Sequence, residues 1–406
     1  MKRVERVRLY PTPRQQSILQ FMLDVTRQLY NALLQQRRDV YRLRGVGIPS
    51  RDQYAELTAL RREDARIAAV YRECEDAVLR RLDLAFAAFF RRLKGGETPG
   101  FPRFKPAARW HQLTFPHGDR ALRLDQGQKR IRIPGVGWVK LRKGRRVPDF
   151  GRAWLVERNG RWYACMECER EVRPLPKTGV TVGIDRAVHV LAACLDGRLI
   201  RNLAVGDRRK AATARLQREL ESATQRDAAG RVHNRQDPQR IAAARRLARS
   251  REREANARRD FAHKAARTIV NTADAIGLEQ LRLRAMTRSA KGTPERPGVN
   301  VRAKSGLNRV MLDAGFGLLD RMLTEKAEEA ARVVVRVDAR FSSQTCSRCG
   351  YVCARSRWRR RFCCVRCGLK AHADVNAALE IRRRAQLALL RMPDPGEKSV
   401  TQHDAA

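Results

Sequence analysis

Val180-Thr181-Val182-Gly183-Ile184-Asp185 is an apolar run that ends on a carboxylate. Ala275-Ile276-Gly277-Leu278-Glu279 repeats the plan. Both are short, apolar and bounded by polar chain, which predicts buried strands. An ionised carboxylate among Val, Ile and Leu is costly unless it is paired or holds a cation. A third acid, Asp374, lies in His372-Ala373-Asp374-Val375-Asn376-Ala377-Ala378, at the opening of a final helix over about 374–390. Two strand-end carboxylates and one at a helix start can converge on a pair of hard cations. Mg2+ takes oxygen ligands, and two such ions can activate water and stabilise a leaving oxygen in phosphodiester cleavage. Taken singly, Asp374 also suits a helix cap and Glu279 an arginine partner.

Around these strands the pattern alternates between strand and helix, which predicts an α/β domain. Val188 to Leu195 reads as a strand, with a hairpin turn at Asp196-Gly197. Arg- and Ala-rich helical stretches follow over 207–226 and 237–274, then one helix over 307–332 and a strand over Val333–Asp338. The glycine- and base-rich stretch Ser289–Lys304 reads as a mobile loop, and residues 391–406 as a disordered tail.

Upstream of a linker at Pro174–Lys177 the plan differs. Val4 to Tyr10 alternates as a strand. Thr12-Pro13-Arg14-Gln15 is a helix start, with Thr as cap, Pro in the first turn and Gln three residues on. Ile18, Phe21, Met22, Val25, Leu29 and Leu33 then mark an inward face. A second helix over Glu73–Leu93 turns Val78, Leu82, Phe86, Phe89 and Leu93 inward. Between Trp110 and Arg170, short alternating runs such as Lys129–Ile133, Trp138–Leu141 and Trp162–Met166 are separated by turns. They predict a small antiparallel barrel or sheet with the helices inserted after its first strand.

Six of the ten cysteines fall between Cys346 and Cys367. Cys346-Ser-Arg-Cys349-Gly350 and Cys364-Val-Arg-Cys367-Gly368 form two C-x-x-C hooks with 14 residues between them. Two such thiolate pairs close a tetrahedral Zn2+ site, here a structural zinc ribbon. Cys353 and Cys363 are spare, and Cys165-Met-Glu-Cys168 has the spacing but no partner pair. Arg355, Arg357, Arg359, Arg360 and Arg361 surround Trp358 on the ribbon, a combination that suits a nucleic-acid backbone and its bases.

The 406 residues carry 86 Lys and Arg against 43 Asp and Glu, a net charge of +43, which excludes an ordinary metabolic enzyme. Hydrophobic residues make up 43 %, too many for a disordered basic tail. Such charge on a folded chain calls for a large polyanion, and nucleic acid is the obvious one. No apolar run nears the ~18 residues of a membrane span, no signal segment follows Met1, and the clustered cysteines suit a reducing compartment. We therefore expect a cytoplasmic protein.

Together these residues resemble the TnpB family, transposon-encoded RNA-guided nucleases related to type V CRISPR effectors. Arg8-Leu-Tyr-Pro-Thr-Pro13 is similar to the family's opening. Arg80-Arg-Leu-Asp-Leu-Ala-Phe86 and Gly100-Phe-Pro-Arg-Phe-Lys105 are similar to its helical and wedge regions. Gly183-Ile-Asp185 resembles the first RuvC-like motif and Glu279-Gln-Leu281 the second. The cysteine hooks and Asp374-Val-Asn376-Ala-Ala378 resemble the zinc insertion and the third.

The resemblance implies Asp185, Glu279 and Asp374 as catalytic ligands of Mg2+. It implies an RNase H-like (RuvC) nuclease domain over 178–340 and 371–390, with the zinc ribbon inserted over 341–370. It also implies a wedge β-barrel over 1–11 and 96–172, with a helical recognition domain over 12–95. The implied activity is RNA-guided DNA cleavage beside a short adjacent motif, with a guide RNA and a target DNA as partners. The alternative is an RNA-guided DNA-binding protein that no longer cuts and acts as a repressor; the retained triad favours cutting. One position departs from the family: Ala187 stands where a glycine is usual, and a left-handed turn or a close backbone approach there would strain it.

Overall fold

The computed structural model describes residues 1–142, 146–187, 190–193, 199–201 and 205–391. The chain divides into two compact units, Met1–Arg170 and the residues from Glu171 onward.

In the first unit β1 (Lys2–Tyr10) leads into α1 (Pro13–Arg44) through the expected cap. Thr12 Oγ1 accepts from the Gln15 amide at 3.3 Å, and Gln15 Oε1 accepts from the Thr12 amide at 3.0 Å. Met22, Val25, Leu29 and Leu33 are buried as expected, but Phe21 is exposed, one position off the stripe they define. Next come α2 (Ser50–Glu63), α3 (Ala65–Ala68) and α4 (Arg72–Lys94). Val78 and Leu82 of α4 are buried and Phe86 and Phe89 partly so, whereas Leu93 is exposed where the helix outruns the core.

The remaining strands are β2 (Gln112–Phe115), β3 (Arg123–Asp125), β4 (Arg130–Ile133), β5 (Gly137–Leu141), β6 (Phe150–Arg158) and β7 (Arg161–Glu169), with α5 (Gly118–Ala121) between the first two. They form an antiparallel sheet in the order β2-β6-β7-β1-β5-β4-β3. The helices are therefore inserted after the first strand, as expected. Among the described residues β2 and β3 do not pair, so the ladder is open and not a closed barrel. Both end strands are short, which leaves little edge to join. Leu9, Leu19, Leu34, Leu79, Phe115, Ile131 and Leu155 share one core. Cys165 and Cys168 are buried within β7, and a spacing of three in a strand turns them to opposite faces, so they make no hook.

In the second unit β8 (Thr181–Ile184), β11 (Ala275–Glu279) and β12 (Val333–Val337) form a parallel sheet in the order β12-β11-β8. Two helices, α6 (Val205–Ser222) and α7 (Pro238–Thr272), lie in the chain between β8 and β11. β9 (Val190–Ala193) and β10 (Leu199–Arg201) pair antiparallel as a separate ladder. The Asp196-Gly197 turn, parts of the strand expected over Val188–Leu195, and residues 392–406 of the expected tail lie outside the described residues.

After β11 come α8 (Leu283–Met286), α9 (Val301–Ala314) and α10 (Phe316–Glu329). The single helix expected over 307–332 is thus two helices, broken at Gly315 with φ +69°, a left-handed conformation that glycine adopts freely. The first begins at Val301, so the stretch expected to be a loop is helical at its end and carries a bridge between Gly292 and Pro297. Ala187 is not among the described residues with positive φ, so strain from a left-handed backbone does not arise there.

The last helix among the described residues, α11 (Ala373–Leu390), packs on the parallel sheet. A Cβ on Gly183 would lie 2.0 Å from the Ala378 carbonyl oxygen and 2.4 Å from the Arg382 nitrogen; one on Gly277 would lie 2.8 Å from the Ala385 Cβ. The two glycines let helix backbone and sheet approach. Val182, Ile184, Ile276 and Leu278 alternate with them and pack against Ala266 and Ile269 of α7 and Leu319 and Leu323 of α10. The sheet is therefore covered on both faces.

Candidate active site and metal centre

Register decides where the acids meet. Leu278 of β11 pairs with Ile184 of β8 in parallel, so Glu279 and Asp185 emerge side by side at the carboxyl ends of neighbouring strands. Asp374 comes from the first turn of α11, the helix that the glycines bring onto the same strands. It is not the cap: His372 is, its Nδ1 accepting from the Asp374 amide at 3.3 Å. All three carboxylates are buried.

Their electrostatics register the convergence. Burial, then the charges of Glu279 and Asp374, push the Asp185 carboxyl up to about 7, against the opposing pull of Arg357 and Arg186. Burial also raises Glu279, opposed by a Ser342 hydrogen bond and by Arg186, Arg384 and Arg357. A buried carboxyl whose ionisation two neighbouring acids oppose belongs to a hard-oxygen donor set of the kind Mg2+ takes.

Four further side chains attend this cluster. Ser342 Oγ donates to Glu279 Oε1 at 2.5 Å. Arg357, on the ribbon, places Nη2 3.6 Å from Asp374 Oδ1. Arg186 is buried; it donates to the Glu279 carbonyl oxygen and, at 3.3 Å, to Asp320 Oδ2. Asn376, fully buried on α11, accepts from the Ser347 amide at 3.0 Å and donates to the Thr345 carbonyl at 2.8 Å. Sequence reasoning took Arg357 for a phosphate contact and missed the other three. An arginine directly after Asp185 was a visible signal for Arg186; small polar residues such as Ser342 leave none.

The cysteines gather as expected. The sulfurs of Cys346, Cys349, Cys364 and Cys367 all lie within 4.8 Å of one another, the one group of metal-binding side chains that does so among the described residues. The three carboxylates do not meet that spacing, with Glu279 drawn to Ser342 and Asp374 to Arg357. The two hooks are alike: each closes with a glycine amide to a cysteine carbonyl at 2.9 Å, from Gly350 to Cys346 and from Gly368 to Cys364. Both glycines have φ +71°, as a left-handed turn requires. The amide of Cys367 helps lower the Cys364 thiol to about 6, toward the thiolate that binds metal. Four sulfurs without an open position suit a structural Zn2+. Cys353 and Cys363 stay outside the cluster. The ribbon strands β13 (Arg357–Trp358), β14 (Arg361–Cys363) and β15 (Lys370–His372) run antiparallel, and exposed Trp358 carries Arg359 5.0 Å over its ring. Among the described residues no helix is long and apolar enough to cross a membrane.

Comparison with known proteins adds an independent line. Residues 163–290 match the OrfB_IS605 profile, described as "Probable transposase". Residues 316–381 match the Cas12f1-like TNB domain. Residues 1–45 match a profile described as a helix-turn-helix domain, although here they form β1 and one unbroken helix. An Escherichia coli K12 protein named "Putative RNA-guided DNA endonuclease InsQ" is 33 % identical over 306 residues, 75 % of this chain and 72 % of that one. A Streptomyces pristinaespiralis protein named "Putative RNA-guided DNA endonuclease" is 27 % identical over 388 residues, 94 % of this chain and 89 % of that one. The Sulfoacidibacillus thermotolerans CRISPR-associated endodeoxyribonuclease Cas12f1 is 41 % identical over 64 residues, 16 % of this chain and 15 % of that one. On these matches, the chain belongs to the IS605 OrfB/TnpB family and carries a Cas12f1-like TNB domain near its C-terminus.

Proposed function

We propose that this chain is an RNA-guided DNA endonuclease that hydrolyses guide-matched DNA with Mg2+ held by Asp185, Glu279 and Asp374. The observation that carries the reading is the convergence of three buried carboxylates from distant parts of an otherwise strongly basic chain. In this reading the α/β layers of the second unit are an RNase H-like (RuvC) nuclease, with residues 341–370 as its zinc-ribbon insertion. Residues 1–11 and 96–172 are the wedge, and 12–95 the recognition helices. The names of the relatives support a guide RNA and a target DNA as partners, as does the net charge of +43.

The chain's own residues do three things. Asp185 and Glu279, fixed at adjacent strand ends, and Asp374, fixed by α11, supply oxygen ligands from backbone positions already gathered together; their side chains, now drawn to Ser342 and Arg357, would turn toward a shared cation. Arg186, buried behind Glu279, and Arg357, beside Asp374, offset their mutual repulsion. The arginines of the ribbon and the rest of the basic surface hold nucleic-acid backbone. Bound divalent cations would activate the attacking water and stabilise the leaving oxygen.

The test measures cleavage and binding of one guide-matched DNA by the protein with its RNA. Asp185→Ala should reduce Mg2+-dependent cutting by on the order of 10³-fold or more and leave guided binding in place, because base pairing and phosphate contacts supply it. Equal cutting by Asp185→Ala and the unaltered chain would overturn the site. Binding without cutting by the unaltered chain, with guide and Mg2+ present, would establish the repressor alternative.

A further inference from the structure

Ser342 lies four residues before the first cysteine of the metal cluster, in the segment that joins β12 to the ribbon. It is buried, and its hydroxyl donates to Glu279 Oε1 at 2.5 Å. A hydroxyl bond to an ionised carboxylate is short and strong, and it fixes the orientation of the carboxyl plane. Among the described residues the other oxygen, Oε2, has no hydrogen-bond partner. One oxygen is anchored and one is left to ligate.

The segment that carries Ser342 is itself held. Phe341 adopts φ +58°, a conformation that a bulky L-residue takes only when its surroundings impose it. Its carbonyl accepts from the amides of Gln344 and Thr345, each at 2.9 Å, and from the Thr345 hydroxyl at 2.8 Å. From the same Thr345 onward, Asn376 of α11 grips both sides of Cys346 through Thr345 and Ser347. The turn over 341–347 therefore touches three things: Glu279 through Ser342, the metal cluster through Cys346, and the helix that bears Asp374 through Asn376.

We propose that Ser342 is a positioning residue that fixes Glu279 as a divalent-metal ligand and ties it to the cysteine knuckle, an inference that rests on reading the carboxylates as a divalent-metal site. Removing the hydroxyl frees Glu279 to rotate and weakens that site without disturbing the cysteine cluster.

The experiment titrates Mn2+ into the full chain with its co-purified RNA, followed by electron paramagnetic resonance of the free ion, with zinc content measured on the same samples. Comparison with Asp185→Ala separates the carboxylate site from cations bound along the RNA. Ser342→Ala should keep one zinc per chain and bind Mn2+ at the carboxylates about tenfold more weakly, the usual scale for losing a hydrogen bond to a metal ligand. Ser342→Thr, which keeps the hydroxyl, should restore affinity. Unaltered Mn2+ affinity in Ser342→Ala, with the site lost in Asp185→Ala, would overturn the role of Ser342 alone. Loss of zinc in Ser342→Ala would also overturn it, by showing a folding role in its place. Unaltered Mn2+ binding in Asp185→Ala would instead sink the metal-site reading beneath it.

Discussion

Arg357 Nη2 lies 3.6 Å from Asp374 Oδ1, so the hairpin pinned by the cysteines sets a cation against a carboxylate of a different element. Arg357 also lowers the proton affinity of Asp185 and Glu279. Its removal should raise the proton affinity of both. For Arg357→Ala we expect the acid limb of the pH–cleavage profile to move to higher pH, and for Arg357→Lys a smaller move. A profile that stays in place in Arg357→Ala would remove the arginine from the electrostatics of the site.

Asp185 gives the second prediction. Its folded-state pKa, pushed up to about 7 mainly by burial, lies above the unfolded value, so the ionised form opposes folding. The penalty is absent below the unfolded pKa, near 4, and complete above about 7. Without added divalent cation the protein should therefore lose stability as pH rises through that window. Asp185→Asn should flatten the dependence and raise stability at pH 8 by up to about 4 kcal/mol. Thermal melts of both proteins from pH 5 to 8 decide it. Added Mg2+ should stabilise the unaltered chain far more than the variant.

The zinc assignment predicts a contrast between two cysteine substitutions. Cys364→Ser should lose the metal and cost on the order of 5 kcal/mol, since a closed zinc site contributes directly to folding. Cys165→Ser, buried in β7 and not one of the four clustered cysteines, should retain one zinc per chain. Metal analysis with chemical denaturation separates the two, and full zinc in Cys364→Ser would refute the site.

Two glycines should rank by clearance. A Cβ at Gly183 meets backbone at 2.0 and 2.4 Å, which cannot yield without moving α11, whereas one at Gly277 meets the Ala385 Cβ at 2.8 Å. Gly183→Ala should cost roughly 3 kcal/mol and abolish Mg2+-dependent cutting; Gly277→Ala should cost about 1–2 kcal/mol. The reverse order in denaturant melts would mean that α11 does not sit as described.

What the sequence displayed and what it hid divide along physical lines. An acid closing an apolar strand is costly, so Asp185 and Glu279 stood out, and the cysteine hooks and the Thr12 cap were visible because local spacing is their whole signal. Contacts made across space were not visible. Nothing near Ser342 separates it from other loop polar residues, and the motif that holds Asn376 does not show that side chain's partners, which lie in another element. Arg357 was one of five arginines around Trp358, and only the hairpin register turns it toward Asp374. The break at Gly315 hid within a continuous helical pattern, because one left-handed residue leaves the apolar spacing on either side intact. The open ladder of the first unit depends on how short β2 and β3 are, and strand ends are where alternation is weakest.

The third carboxylate arrives on α11, well after the two strands, and that order matters during synthesis. A ribosome delivers β8 and β11 long before α11, so the growing chain holds two of its acids while the glycine face of the sheet stands bare. Until α11 emerges and seats itself, the cluster lacks its third carboxylate. In this arrangement a nascent chain carries an incomplete cluster until α11 has been made.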